Sequence, residues 1–384
     1  MLRRLARTLA VLLAVTLPAV ASGQSTQGSR NITLDARIPT AAGGPVVAVA
    51  LDQSRPLAFV AHREGVSIFN TDTHRRATTW RPDAGPIADI APFGPSGVAI
   101  ATESEILLAM ISDSGQANLE ARLSVPGLRS LGAYRHSSGE SLVLGAGPQG
   151  AVLASAGSII TIPLPEEVPD RERGAYGIYA GYDLATDTDR LYVAGAGGYF
   201  VYDITRPAAS TLLTWVNSAA VQTGVGIQAS PDATQLVTTT NYASAPIRVF
   251  DIRPALDGTI SQVRTAVGAW SADWRSHAER FEMRWPYVFV AARDQGFQMF
   301  NLRNAYEPYT SGWFQTAGPA GAGALDLDVR NSDGLVAVLD SDTGLWLLRV
   351  EDFRGWDGRG WGFGNISSVQ DWEQGPVNSD RWQP

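Results

Sequence analysis

RDQGFQMFNLRNAYEPYTSGW, residues 293–313, is the stretch from which the fold can be read. Phe297 and Met299 alternate with Gln298 and Phe300, the period of two that sends successive side chains to opposite faces of a strand. Asn301 opens a turn, Pro308 closes it, and residues 309–313 begin a second strand. Versions of this unit recur along the chain, so an internal repeat decides the architecture.

Seven copies align, at residues 57–70, 98–110, 142–154, 191–203, 236–251, 288–301 and 335–349. Each is an apolar strand, a short polar or glycine-containing turn and a second apolar strand. Their turns centre near residues 63, 104, 147, 196, 243, 294 and 342, about 41 to 51 residues apart, the length of a four-stranded propeller blade. A short strand precedes each copy, at residues 46–51, 87–91, 128–134, 178–184, 226–229, 272–275 and 325–329. An outer strand follows, as at residues 76–80, 119–125, 212–216 and 311–315. Residues 279–284 read as a single helical turn, ended by Trp285-Pro286. The predicted fold is all-β, a seven-bladed β-propeller. The seventh copy lacks a fourth strand, and residues 32–38 form a strand without a blade. That N-terminal strand is expected to complete the last blade and close the ring.

Residues 1–21 read as a signal peptide: Arg3, Arg4 and Arg7 precede a short apolar run and the small-residue site Ala19-Val20-Ala21. The apolar run is too short to span a bilayer comfortably. Residues 22–30 follow as a linker, 31–353 as the propeller, and 354–384 as a tail rich in Trp and Gly. The chain has no cysteine, which excludes disulfides, thiolate metal sites and a cysteine nucleophile. It also has no lysine, and its net charge of −8 with dispersed arginines argues against nucleic acid as a partner. A periplasmic or extracellular location is expected.

Three copies carry a closer likeness: GFQMFNLRNAYEPYTSGWF, GYFVYDITRPAASTLLTW and GVSIFNTDTHRRATTW. Together they resemble the LVIVD-repeat family of secreted bacterial β-propellers. The resemblance implies an extracytoplasmic propeller. It brings no catalytic residues, because the motif specifies a blade and not a reaction.

Asn70, Asp203, Asp251 and Asn301 share one blade position, where Asp and Asn initiate turns by bonding the backbone two residues on. The paired acids at residues 187–189, 326–328 and 340–344 fall short of a calcium loop, and no histidine pair has zinc-site spacing. No catalytic residue, metal ligand or cofactor site is assigned. The turns inside each copy share one end of a propeller with the loops between blades, and that face is the expected binding surface. Its candidates are His62, Arg63, Glu64, Tyr242, Arg293, Asp294, Asp340 and Asp342, with Trp270 and Trp274 from an inter-blade loop. Trp356 and Trp361 in the tail are further candidates, packing on the propeller or docking a partner protein or glycan. The expected function is a non-enzymatic binding scaffold of the cell envelope, with a protein as partner. One alternative is a metal-dependent hydrolase or lyase built on Asp89, Asp326 and Asp328 around the central channel. The other is a structural subunit of a larger envelope complex.

Overall fold

The computed structural model describes residues 27–356 apart from 41–43, 156, 218–220, 222, 243, 274–276, 317–322 and 352. The first strand is β1 (Ile32–Ile38). Blade one then holds β2 (Val46–Leu51), β3 (Leu57–His62), β4 (Gly65–Asn70) and β5 (Arg75–Trp80). Blade two holds β6 (Ile87–Phe93), β7 (Gly97–Thr102), β8 (Glu105–Ile111) and β9 (Ala117–Ser124). In blade three come β10 (Ser130–Arg135), β11 (Ser141–Gly147), β12 (Gly150–Ser155) and β13 (Ser158–Ile162). Blade four is β14 (Ala175–Asp183), β15 (Thr188–Gly195), β16 (Gly198–Asp203) and β17 (Thr211–Val216). Blade five is β18 (Gly224–Ala229), β19 (Gln235–Thr240), β20 (Ile247–Asp251) and β21 (Gly268–Trp270). Blade six contains β22 (Ala278–Arg284), β23 (Tyr287–Ala292), β24 (Gly296–Asn301) and β25 (Tyr309–Phe314). Blade seven contains β26 (Ala324–Val329), β27 (Val336–Asp340) and β28 (Gly344–Val350), beside which β1 lies. The inner strands touch in a closed series from β2 through β6, β10, β14, β18, β22 and β26 back to β2. The fold is a seven-bladed β-propeller.

Blades pack against neighbours on both faces, so their middle strands are buried throughout rather than alternately. All six residues of β24 are buried. Phe297 and Met299 join the apolar cluster between blades six and seven, and Phe300 joins the one between five and six. Each such ring contributes about 1.5–3 kcal/mol of transfer free energy. The shared Asp/Asn position works as a turn device. Asn70 Oδ1 accepts from the Thr73 N–H at 2.7 Å, Asp203 from Thr205 at 2.8 Å, Asp251 from Arg253 at 3.0 Å and Asn301 from Arg303 at 2.8 Å.

Blade seven pairs β1 antiparallel with β28, from Ile32 opposite Val350 to Ile38 opposite Leu345. Residues just before β1, which composition assigns to a linker, also bond to blade six. Ser29 N–H donates to the Trp313 carbonyl at 2.9 Å, and Gln315 N–H donates to the Gln27 carbonyl at 2.7 Å.

Three assignments need correction. The inner strand of blade six is Ala278–Arg284, not residues 272–275, and residues 279–284 form no helical turn. Phe281 and Met283 point into the core while Arg280 and Glu282 face the channel, so the polar half of the alternation reads as a charged helical turn. The outer strand of blade five is Gly268–Trp270, a segment that sequence places in an inter-blade loop. With only three residues it has no legible period.

Arginines at the ends of inner strands or the start of second strands tie blade to blade. Arg55 donates to the Ile111 carbonyl at 2.6 Å, Arg190 to Ala233 at 3.2 Å, Arg284 to Val329 at 3.1 Å and Arg330 to the carbonyl of Arg55 at 3.0 Å. The planar guanidinium fork can hold an acid of its own blade and a carbonyl of the next at once. Arg190 does so with Asp183, and Arg330 with Asp333.

Candidate binding face and central channel

Six of the inner strands carry a bulge near their start, and the residues following it are Ala48, Asp89, Gly177, Gly226, Arg280 and Asp326. Asp89, Arg280 and Asp326, with the residues two further on from each of the six, line the channel. There a cavity of about 100 Å³ is bordered by Asp89, Gln228, Arg280, Glu282, Asp326 and Asp328 among others.

The channel acids are engaged by backbone. Asp326 accepts from the Val49 N–H at 2.8 Å and Asp328 from Leu51 at 2.6 Å, joining blade seven to blade one. Asp89 accepts from the Leu131 N–H at 2.8 Å, joining blades two and three. Gln228 accepts from the Met283 N–H at 2.8 Å and donates to the Phe281 carbonyl at 3.2 Å, joining five and six. Arg280 reaches across from blade six to Asp89 and to the Ser130 hydroxyl, both at 3.1 Å. Its charge is held by Asp89, which pushes its pKa further up. Burial raises the Asp326 carboxyl to about 7 against the opposing pull of Arg280. Asp328 is also raised to about 7, by burial and then by repulsion from Glu282. Among the described residues, no three His, Asp or Glu side chains converge as metal ligands. Asp89, Asp326 and Asp328, the three acids named from sequence, each join two blades through a backbone N–H. Arg280, Glu282 and Gln228 went unrecognised in the sequence, where the alternation Arg280-Phe281-Glu282-Met283 was their available signal.

The rim candidates divide. Arg63, Glu64, Tyr242, Arg293, Asp294 and Asp342 are exposed on turns at one end of the ring. Arg63 comes within 4.0 Å of Glu103 from blade two. A groove of about 490 Å³, bordered by Glu64, Arg76, Thr79 and Arg81, opens beside blade one. His62, by contrast, is buried with its ring between the Gly44 carbonyl at 3.0 Å and the Ser67 hydroxyl at 3.1 Å, and burial pushes its pKa down. Asp340 is fully buried and builds its turn, accepting from the N–H groups of Asp342 and Thr343 at 3.0 and 2.9 Å. Asp340 offers no contact surface, and His62 only borders the floor of the groove beside blade one.

Trp270 is no rim residue either. It is 6% exposed, stacks on Phe300 at 4.5 Å, and donates through Nε1 to the Thr310 hydroxyl at 3.0 Å. Trp270→Phe keeps the stack and loses that bond, so urea unfolding should show a loss of about 1 kcal/mol. Trp356 is partly buried at the opposite end from the rim turns, where its backbone N–H donates to the Asn331 carbonyl at 2.8 Å and its ring lies 5.8 Å from the Arg284 guanidinium. Trp274 and Trp361 lie outside the described residues.

No family model matches the chain, and no curated protein matches its sequence. Among solved structures it is similar to the crystal structure of the Myceliophteria thermophila Cps50 (Swd1) β-propeller domain. The TM-score is 0.60 and the identity 13%, over 82% of this chain and 99% of that one. That likeness concerns the fold alone. It agrees with the ring of blades described above.

Proposed function

We propose that the protein is an exported, non-enzymatic scaffold that binds a protein of the cell envelope through the face bearing the rim turns. The observation that carries this reading is the division of polar groups. Channel acids bond backbone N–H groups of the next blade, while Arg63, Glu64, Tyr242, Arg293, Asp294 and Asp342 are exposed on turns at one end. Export rests on the basic and apolar pattern of residues 1–21, and the likeness to LVIVD repeats supports it.

Immobilised protein passed over an envelope extract tests the face. Capture should fall about tenfold for Arg63→Glu/Arg293→Glu, in line with loss of a rim hot spot. It should persist for Tyr306→Ser, which alters an exposed side chain at the other end. Equal capture by both variants would remove the rim from the proposal.

A hydrolase or lyase working from the channel is the second reading, favoured by the near-neutral Asp326 and Asp328. Their commitment to backbone N–H groups weighs against it. Metal analysis and calcium-dependent activity of the purified protein separate the two readings.

A further inference from the structure

At the end of the ring away from the rim, the chain turns from each inner strand into the second strand of its blade. In blade one that turn is held by Asp52, whose Oδ1 accepts the Ser54 N–H at 3.0 Å and the Ser54 hydroxyl at 3.1 Å. Blade three builds its turn on His136 instead. There Nδ1 accepts the Ser138 N–H at 3.1 Å and lies 2.8 Å from the Ser138 hydroxyl. A carboxylate suffices to hold such a turn, so the imidazole brings a property that the backbone does not require.

The hydrogen bonds fix the tautomer of that ring. A backbone N–H can only donate, so Nδ1 carries a lone pair and the ring proton sits on Nε2. Nε2 lies 3.0 Å from the Ile204 carbonyl and 3.2 Å from Asp189 Oδ2, both acceptors for its proton. Asp189 comes from β15 of blade four and has no exposed surface. It also accepts the Ser137 N–H at 3.0 Å and the hydroxyls of Ser137 and Tyr134. Burial, and then the Asp189 charge, push the Tyr134 hydroxyl well up, which keeps it a donor.

We propose that Ser138 is a nucleophilic site that takes an acyl group from an activated ester, with His136 as its base and Asp189 as the positioning residue. A hydroxyl bonded to a base that a third group orients is the arrangement such chemistry needs. As Oγ bonds the acyl carbon, its proton passes to Nδ1. The C–O bond of the ester then breaks, and the departing alcohol oxygen takes that proton. Between the two transfers the imidazolium is held by Asp189. Ser138 is exposed, and a Cβ placed on neighbouring Gly139 would meet nothing within 4 Å, so the approach is open. The protein is the acceptor of one acyl group per chain. This site lies at the opposite end from the rim face and does not depend on that reading.

A fluorophosphonate is the probe, because its phosphorus takes the place of the acyl carbon, fluoride leaves and the adduct persists. The chain has no lysine or cysteine to compete for it. Peptide mass spectrometry should find one adduct per chain, on Ser138 and not on Ser54. Ser54 is equally an exposed serine in a turn, with a carboxylate where Ser138 has an imidazole, and comparing the two needs no variant. Ser138→Ala should remove the label. His136→Asn keeps an acceptor for the Ser138 N–H and should slow labelling about a hundredfold. An unchanged urea midpoint checks that each variant is folded. Asp189→Asn should slow labelling about tenfold or more and move the His136 Nε2 proton upfield in the NMR spectrum, a shift that a merely structural role would not produce. Absence of label, equal labelling of Ser54, undiminished labelling in His136→Asn or an unmoved Nε2 proton overturns the proposal.

Discussion

Arg284→Ala should cost about 3–5 kcal/mol of stability, the range for removing one partner of a buried ion pair. Arg284 is 0% exposed, and its guanidinium fastens four groups. Nε donates to the Asn331 amide oxygen at 2.7 Å, and Nη1 donates to Glu282 and to the Met283 carbonyl, both at 2.9 Å. Nη2 donates to the Val329 carbonyl of blade seven at 3.1 Å. Alanine strips a donor from each of them and leaves a cavity between two inner strands. Arg284→Met fills the space and restores none of the bonds, so it should recover only part of the loss. Urea unfolding followed by tryptophan fluorescence measures both variants. A loss for alanine below about 1 kcal/mol would mean that the network is not what joins blades six and seven.

The second large effect is a dependence on pH set inside the channel. Asp326 and Asp328 are raised to about 7, well above the ordinary value of about 4 for an unfolded aspartate. Between those values the folded chain holds protons that the unfolded chain has released. The stabilisation carried by the two neutral carboxyls is complete below about pH 4 and is lost as pH rises through about 7. Each contributes a slope of at most about 1.4 kcal/mol per pH unit. Asp333, lowered to about 2 chiefly by Arg330 against the opposing effect of burial, works in the opposite sense below that window. His62 also titrates with the opposite sign, so the useful quantity is the difference between wild type and Asp326→Asn/Asp328→Asn. Asparagine keeps an acceptor for the Val49 and Leu51 N–H groups. The difference should grow in favour of the variant from pH 4 to 7 and stay flat above. A constant difference would show that the two carboxyls titrate alike in folded and unfolded chains.

Most of the architecture is legible because blade strands obey local rules. Leu57, Phe59, Ile68 and their counterparts are apolar wherever two blades meet, and Asn70 or Asn301 marks the same turn each time. The legible part ends where a strand serves two environments. On β22 the channel half of the alternation is Arg280 and Glu282, so the strand resembles a charged loop or helical turn. Trp270 misleads for a related reason: three residues carry no period, and a tryptophan between Ala269 and Ser271 in a Gly-containing segment reads as exposed. The candidate rim was legible only as a set of turns. Which of its side chains turn inward, as His62 and Asp340 do, depends on partners distant in sequence such as Gly44 and Thr316.

The pairing of β1 with β28 also sets a schedule. Thr33 and Arg349, joined in that ladder, stand 316 positions apart. On an emerging chain β1 appears among the first strands, yet its hydrogen-bonding edge has no companion until β28 has followed. Blades one to six can condense from contacts within about fifty residues, whereas this ladder waits for nearly the whole polypeptide. Loop-closure entropy grows only with the logarithm of length, so the long separation weakens the finished ring little and delays it much. Until β28 has been made, β1 has no strand in this ladder to pair with.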